Sequence, residues 1–317
     1  MWSTICSVNI PAPRVITTEP RKSDRVFRSI VSGGGFVSLI ILGLISFFLL
    51  FNGFKVLKAE GIKFLIGFEW VNAIPDGGTP AVYGIGAMLY GTLVIGIIAL
   101  FFGFPIAVGS ALFLSYYAPN WVKKPMVLFI DIMAAIPSVV YGLWGYFVLM
   151  PHAEYWAKLL NKYLGFIPIF SMPAPAFSRS PFIAGLVLSI MIVPIITSIS
   201  REVFAQTPLD RIQAAYALGA TKWTMIKSVV IPYGAGGVIG GAMLGLGRAL
   251  GETVAVYTVL NLVFDIRPEI LLSAGGSVAS MIVNKFGEAD KVELQALMAA
   301  GFVLFLVTLV VNLIANL

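Results

Sequence analysis

The sequence predicts an all-α integral membrane protein with about six transmembrane helices. Composition points there first: 59% of the 317 residues are hydrophobic and 11% are charged, whereas soluble domains run near a quarter charged. Mean hydropathy is +0.94. Apolar runs at 29–52, 82–114, 127–150, 182–200, 234–260 and 296–317 each supply the roughly 20 residues that a span requires, or more. The chain has one cysteine, Cys6, and one histidine, His152. It therefore has no internal disulfide and no Cys/His cluster of metal-site spacing.

Residues 1–28 form a polar tail that contains Pro11, Pro13 and Pro20. The tail is longer than the charged region of a signal peptide and lacks a small-residue cleavage site, so the first run reads as a retained span. Residues 29–317 then make up the transmembrane domain. The second run is long, and Pro105 is its expected break. Asp131 lies near the start of the third run, where an acidic group complements the helix dipole. His152 reads as a solvated loop residue just past that run. The fourth run is short and carries Pro194. The loop Phe166–Pro181, Pro-rich and aromatic, reads either as a docking face for an external protein or as an ordinary irregular loop.

Orientation follows from Lys and Arg. The tail carries five (Arg14, Arg21, Lys22, Arg25 and Arg28), the 115–126 loop two and residues 201–233 four, while the three opposite loops hold nine in longer stretches. That bias places both termini in the cytoplasm. The net charge of +6 then belongs to an inner membrane surface, with no nucleic acid as partner.

The loop of about 201–232 has helix signals of its own. Thr207 suits an N-cap, Pro208 the first helical position, and Asp210 completes a capping-box pattern. Gly219 is a natural stop, and Thr221 suits the cap of a second short helix running toward Pro232. Leu209, Ile212, Ala215, Tyr216 and Leu218 give the first helix an apolar side. That side lies either in a partner's groove or on the bilayer surface.

Within this loop, Ala214, Ala215, Gly219, Val229, Ile231 and Pro232 fall on the coupling-loop signature of binding-protein-dependent ABC transporter permeases. Gln213 stands where that signature has glutamate, so it keeps hydrogen-bonding capacity and loses the charge. The stretches Ala134–Gly145 and Gly240–Val256 further resemble the phosphate-specific permeases, the PstC kind more than the PstA kind. The resemblance implies a type I ABC importer permease fold in a bacterial inner membrane. Its implied partners are a second, homologous permease, two copies of an ATPase and an external phosphate-binding protein. It also implies that Gln213, Ala214, Ala215, Gly219 and Pro232 couple to the ATPase. No Gly-x-x-x-x-Gly-Lys-Ser/Thr loop occurs in the chain, so ATP and its Mg belong to the partner chain; this chain is expected to hold no cofactor and to be no enzyme.

In the fifth run, Arg248 and Glu252 are four residues apart, one turn on a continuous helix. Ionised residues inside a span are costly and read as functional. A guanidinium stays charged and presents a planar fork of donors to an oxyanion. Arg248 is thus the candidate anion contact, and Glu252 the candidate partner that holds it when no anion is present. The alternative is a buried ion pair that fixes helix packing. Thr253, Ser138 and Tyr141 could offer hydroxyls along the pathway. Gly237, Gly241 and Gly245, with Gly247 and Gly251, recur at four-residue spacing and form a strip for close helix approach. A stand-alone anion channel, a secondary transporter or a permease for another oxyanion such as sulfate would also use a midplane arginine.

Overall fold

The structure is a computed structural model that describes residues 22–72, 81–172 and 176–314. Cys6, the tail prolines and part of the Pro-rich loop (173–175) lie outside the described residues. The chain divides into two units, residues 1–47 and 48–317.

Helix α1 (Lys22–Glu60) carries the first apolar run. It begins seven residues before the expected start at 29 and runs eight beyond the expected end at 52. Residues 23–45 are exposed along its length. A short helix α2 (Ile62–Ile66) leads to strand β1 (Trp70–Val71), which pairs antiparallel with β2 (Val82–Tyr83). Beside this hairpin is a buried carboxylate, that of Glu293. It accepts hydrogen bonds from Trp70 Nε1 (2.7 Å), Asn72 Nδ2 (2.7 Å) and Lys285 Nζ (3.2 Å). The cost of burying this charge is met by three donors, one of them cationic.

Helix α3 (Gly86–Leu112) continues through a π-helical turn to Tyr117 and contains Pro105 without interruption. The expected break at Pro105 is therefore absent. The third run is the one that breaks. Helix α4 (Asn120–Ala135) stops before Pro137, and α5 (Ser138–Trp144) restarts after it at an angle of 96°. Ile136 is extended, as a residue before proline prefers. Asp131 consequently lies in the closing part of α4 and is exposed, not in a first turn. Helix α6 (Met150–Leu164) carries His152, exposed on a helix where a loop was expected.

Helix α7 (Pro181–Ala205) is six residues longer than the expected fourth run and starts cleanly: Ser180 caps Ile183 N, and Pro181 fills the first position. Its apolar window is 72% buried, against 22% for α13 (Lys291–Ile314). A helix apolar all round belongs in the interior, and α7 is that helix. Gly185 admits Ile98 of α3, and Thr197 Oγ1 donates to Ala107 O at 3.3 Å. After α7 come α8 (Leu209–Ala217) and α9 (Lys222–Met225), then a π-turn that leads into α10 (Ile231–Leu250). Helix α11 (Val254–Val259) follows a three-residue gap, and α12 (Val278–Phe286) opens on a Ser277–Ser280 capping box. Among the described residues, five helical runs are long and apolar enough to cross a membrane, and the bent α4–α5 pair makes up to six. The chain is a multi-pass membrane protein.

The glycine strip of α10 lies against α7. Gly237 faces Val203, Gly241 faces Ile199 (3.0 Å from an added Cβ), and Gly245 faces Ile196 (2.9 Å). Each α7 side chain fills the space that a Cβ on α10 would need, so the small residues set the approach of the two helices.

Candidate functional site

Two regions bear on function, at opposite ends of one helical run. The first is the loop between α7 and α10. Helix α8 begins at Leu209 with Pro208 as N-cap and no side-chain cap, so the expected Thr207 cap does not form. Gly219 ends it in the left-handed region, φ 80°, where only glycine is unstrained. Thr221 Oγ1 caps α9 by accepting from Thr224 N at 3.2 Å, as expected. Ile212 and Ala215 pack inward on a cluster of Ala111, Phe204, Met225, Ile226, Val230 and Val238. Leu209 and Leu218 point away and are 70% and 90% exposed. Between α8 and the start of α10 lies a groove of about 620 Å³ that includes Ala214, Ala215 and Pro232, with Arg211 stacked over Tyr233 at 5.5 Å. Gln213 and Gly219 are exposed beside it. Three of the five signature residues, Ala214, Ala215 and Pro232, thus line one groove.

The second region is the far end of α10. Gly245 meets Ile192 and Ile196, and Leu246 and Leu250 meet Gly96. Those partners lie near the middles of α7 and α3, so Arg248 is level with mid-span. Its side chain is exposed and faces a cleft of about 490 Å³ shared with α13, where Gly301, Leu304, Phe305, Thr308 and Asn312 form the opposite wall. The cleft contains no carboxylate, and among the described residues none lies within 4 Å of Arg248. The polar groups Thr308 and Asn312 were not singled out from sequence; polar side chains in an otherwise apolar last span were the available signal.

The Arg248–Glu252 pair does not form, because α10 ends at Leu250. The chain leaves the helix at Gly251 and restarts at Val254, so the one-turn relation is lost. Glu252 turns inward, 8% exposed, and Oε1 accepts from Ala255 N at 3.3 Å. It thereby satisfies an orphan amide in the first turn of α11, where negative charge is favoured. Thr253 is the N-cap residue of α11, half-buried, and makes no cap bond.

Ser138 and Tyr141 sit on α5, just past the Pro137 break. Tyr141 is buried and donates to Met133 O at 2.7 Å, which satisfies a carbonyl at the end of α4. Gly142 lets α5 approach α11, an added Cβ lying 2.8 Å from Ala255 Cα. The restarted halves of both broken runs are therefore packed together, with Arg248 near their common starting end.

Residues 103–317 match the family of binding-protein-dependent transport system inner membrane components. The chain belongs to that family. Phosphate transport system permease protein PstC 2 of Mycobacterium tuberculosis is 40% identical over 310 residues, covering 96% of this chain and 95% of that protein. PstC of Xylella fastidiosa is 38% identical over 322 residues (100% and 97%). A probable PstC of Methanocaldococcus jannaschii is 36% identical over 297 residues (93% and 92%). The solved MetNI methionine ABC transporter, inward facing, matches with a TM-score of 0.51 at 14% identity, over 72% of this chain and 91% of its own. That likeness concerns fold alone, and the fold is that of a type I ABC importer permease. In this permease the run Lys222–Leu250 is continuously helical; it starts just after α8 and ends beside Arg248.

Proposed function

We propose that the chain is the transmembrane permease subunit of an ATP-driven inorganic phosphate importer, forming half of the translocation pathway. The carrying observation is Arg248: a permanently charged group at mid-span, exposed to a cleft, with no carboxylate within 4 Å among the described residues. Such a surface does not suit lipid. It suits a pathway completed by a second, homologous permease, through which an anion passes and is released. The PstC names of relatives matched over nearly their whole length support phosphate as that anion.

Two ATPase subunits, which bind ATP and Mg, drive the cycle through α8. Its exposed Leu209 and Leu218 enter the ATPase surface, while Ile212 and Ala215 tie it to the base of α10. Movement of α8 is carried along the rigid run Lys222–Leu250 to Arg248, and the glycine strip lets that run shift against α7. Alternating access follows if the shift turns Arg248 from one side of the pathway to the other. Glu252 modulates from the hinge between α10 and α11. Ser138, Tyr141 and Thr253 line the hydroxyl side of the same pathway. Phosphate arrives on an external binding protein, and both termini face the cytoplasm of a bacterial inner membrane.

The test is uptake of labelled phosphate, with sulfate as competitor, by the reconstituted complex carrying wild type or Arg248→Gln. Uptake should vanish in the variant while the complex still assembles; normal uptake would refute the anion role. Sulfate competing as well as unlabelled phosphate would move the substrate to oxyanions in general.

A further inference from the structure

Arg179 is the only non-glycine residue with positive φ (50°) among the described residues. A long side chain in that region is strained, and strain of this kind gathers at functional sites. Arg179 lies two residues before α7 begins, at the opposite end of that 25-residue helix from the coupling loop. Its guanidinium is half-buried and held by neutral groups. Nη1 donates to Asn261 Oδ1 at 3.2 Å, and Cζ lies 5.2 Å from the centre of the Tyr146 ring. Asn261 is itself fixed, donating through Nδ2 to Ser273 Oγ at 3.0 Å. Among the described residues no carboxylate lies within 4 Å of Arg179.

The guanidinium opens into a cavity of about 400 Å³ whose polar wall includes Thr258, Asn261, Ser280 and Asn284. One of the five N–H donors of the fork is engaged. The rest, and the whole positive charge, are available to a small anion. Leu143 of α5 and Thr258 of α11 also line this cavity. It therefore lies along the same α5–α11 pair whose starting end adjoins Arg248, little more than a turn further along α11.

We propose that this cavity is a receiving site for one free inorganic phosphate, which Arg179 takes up before it passes along α5 and α11 to Arg248. This rests on the reading of the chain as a phosphate permease. Asn261 and Tyr146 hold the fork in place before the anion arrives, which lowers the ordering cost of binding. A single cation with neutral neighbours keeps the site weak enough to let the anion leave.

The experiment uses the complete transporter in phosphatidylcholine proteoliposomes, supplied with phosphate-loaded binding protein. It measures labelled phosphate taken up per ATP hydrolysed. Arg179→Asn removes the charge and suits positive φ, so the fold is kept. That variant should hydrolyse ATP at the wild-type rate yet deliver about tenfold less phosphate per ATP, the loss of one charged contact. Arg179→Lys should recover at least half of the wild-type ratio, and Asn261→Ala should show a smaller deficit than Arg179→Asn. An unchanged ratio in Arg179→Asn would overturn the proposal. So would a parallel fall in hydrolysis and uptake, which marks a structural role. A deficit confined to liposomes containing phosphatidylglycerol would assign the cavity to a lipid headgroup and also overturn it. If the wild-type complex carries no phosphate, the permease reading itself fails and the receiving role falls with it.

Discussion

Glu293 and Arg248 are both charged groups on apolar helices, and the structure treats them in opposite ways. Glu293 is 3% exposed and holds three donors from β1, the residue after it and α12. Arg248 faces a cleft in which, among the described residues, Thr308 and Asn312 are its polar neighbours. A charge whose partners are all in place ties elements together. A charge left without a counter-ion is available to something that comes and goes. The proposed anion role of Arg248 rests on this contrast and not on the mere presence of charge in a span.

The largest expected effect tests the working side. Arg248→Gln should lower phosphate uptake by at least about 100-fold while thermal melting of the detergent-solubilised complex stays at the wild-type temperature. A large fall in melting temperature would put Arg248 in the same class as Glu293. Glu293→Ala should do the reverse. It strands Lys285 and two neutral donors and should cost about 3 kcal/mol of stability, read as a lower melting temperature. Gly245→Val places extra carbons against Ile196 and should cost about 1–3 kcal/mol by overpacking, again by melting. Glu252→Gln keeps the oxygen that caps Ala255, so melting should not change, and a few-fold change in uptake would locate its role in transport.

The smallest effect concerns pH. Burial first, then the nearby Asp290 and Glu293 carboxylates, push the Tyr83 phenol from 10 up to about 12. A group whose pKa is raised on folding contributes stability below its unfolded value and loses it as pH climbs toward the folded one. Between about pH 10 and 12 wild type should therefore lose stability that Tyr83→Phe does not, as measured by alkaline melting curves. Equal curves would show that the phenol is not shielded.

Of the fold, the membrane class and the positions of the apolar runs were legible from sequence, because hydropathy reports what lipid demands of each segment independently of its neighbours. The stop at Gly219 and the cap at Thr221 were legible for the same reason: both are local backbone chemistry. The permease signature was legible as a spacing, and Ala214, Ala215, Val229 and Pro232 of it line one groove beside α8.

The breaks were not legible. Pro105, Pro137 and Pro194 all lie in apolar runs, yet only Pro137 ends a helix. Whether a proline bends a span or is absorbed depends on the helices around it, which a single segment does not contain. The end of α10 at Leu250 has no proline at all, and it is what turns Glu252 from a one-turn partner of Arg248 into a cap for α11. Sequence alone determined that this chain crosses a membrane with an arginine inside one run, since composition and period are local quantities. Only the tertiary structure decided that the arginine faces an open cleft and its expected partner faces away, because side-chain direction is set by where helices stop and what they pack against.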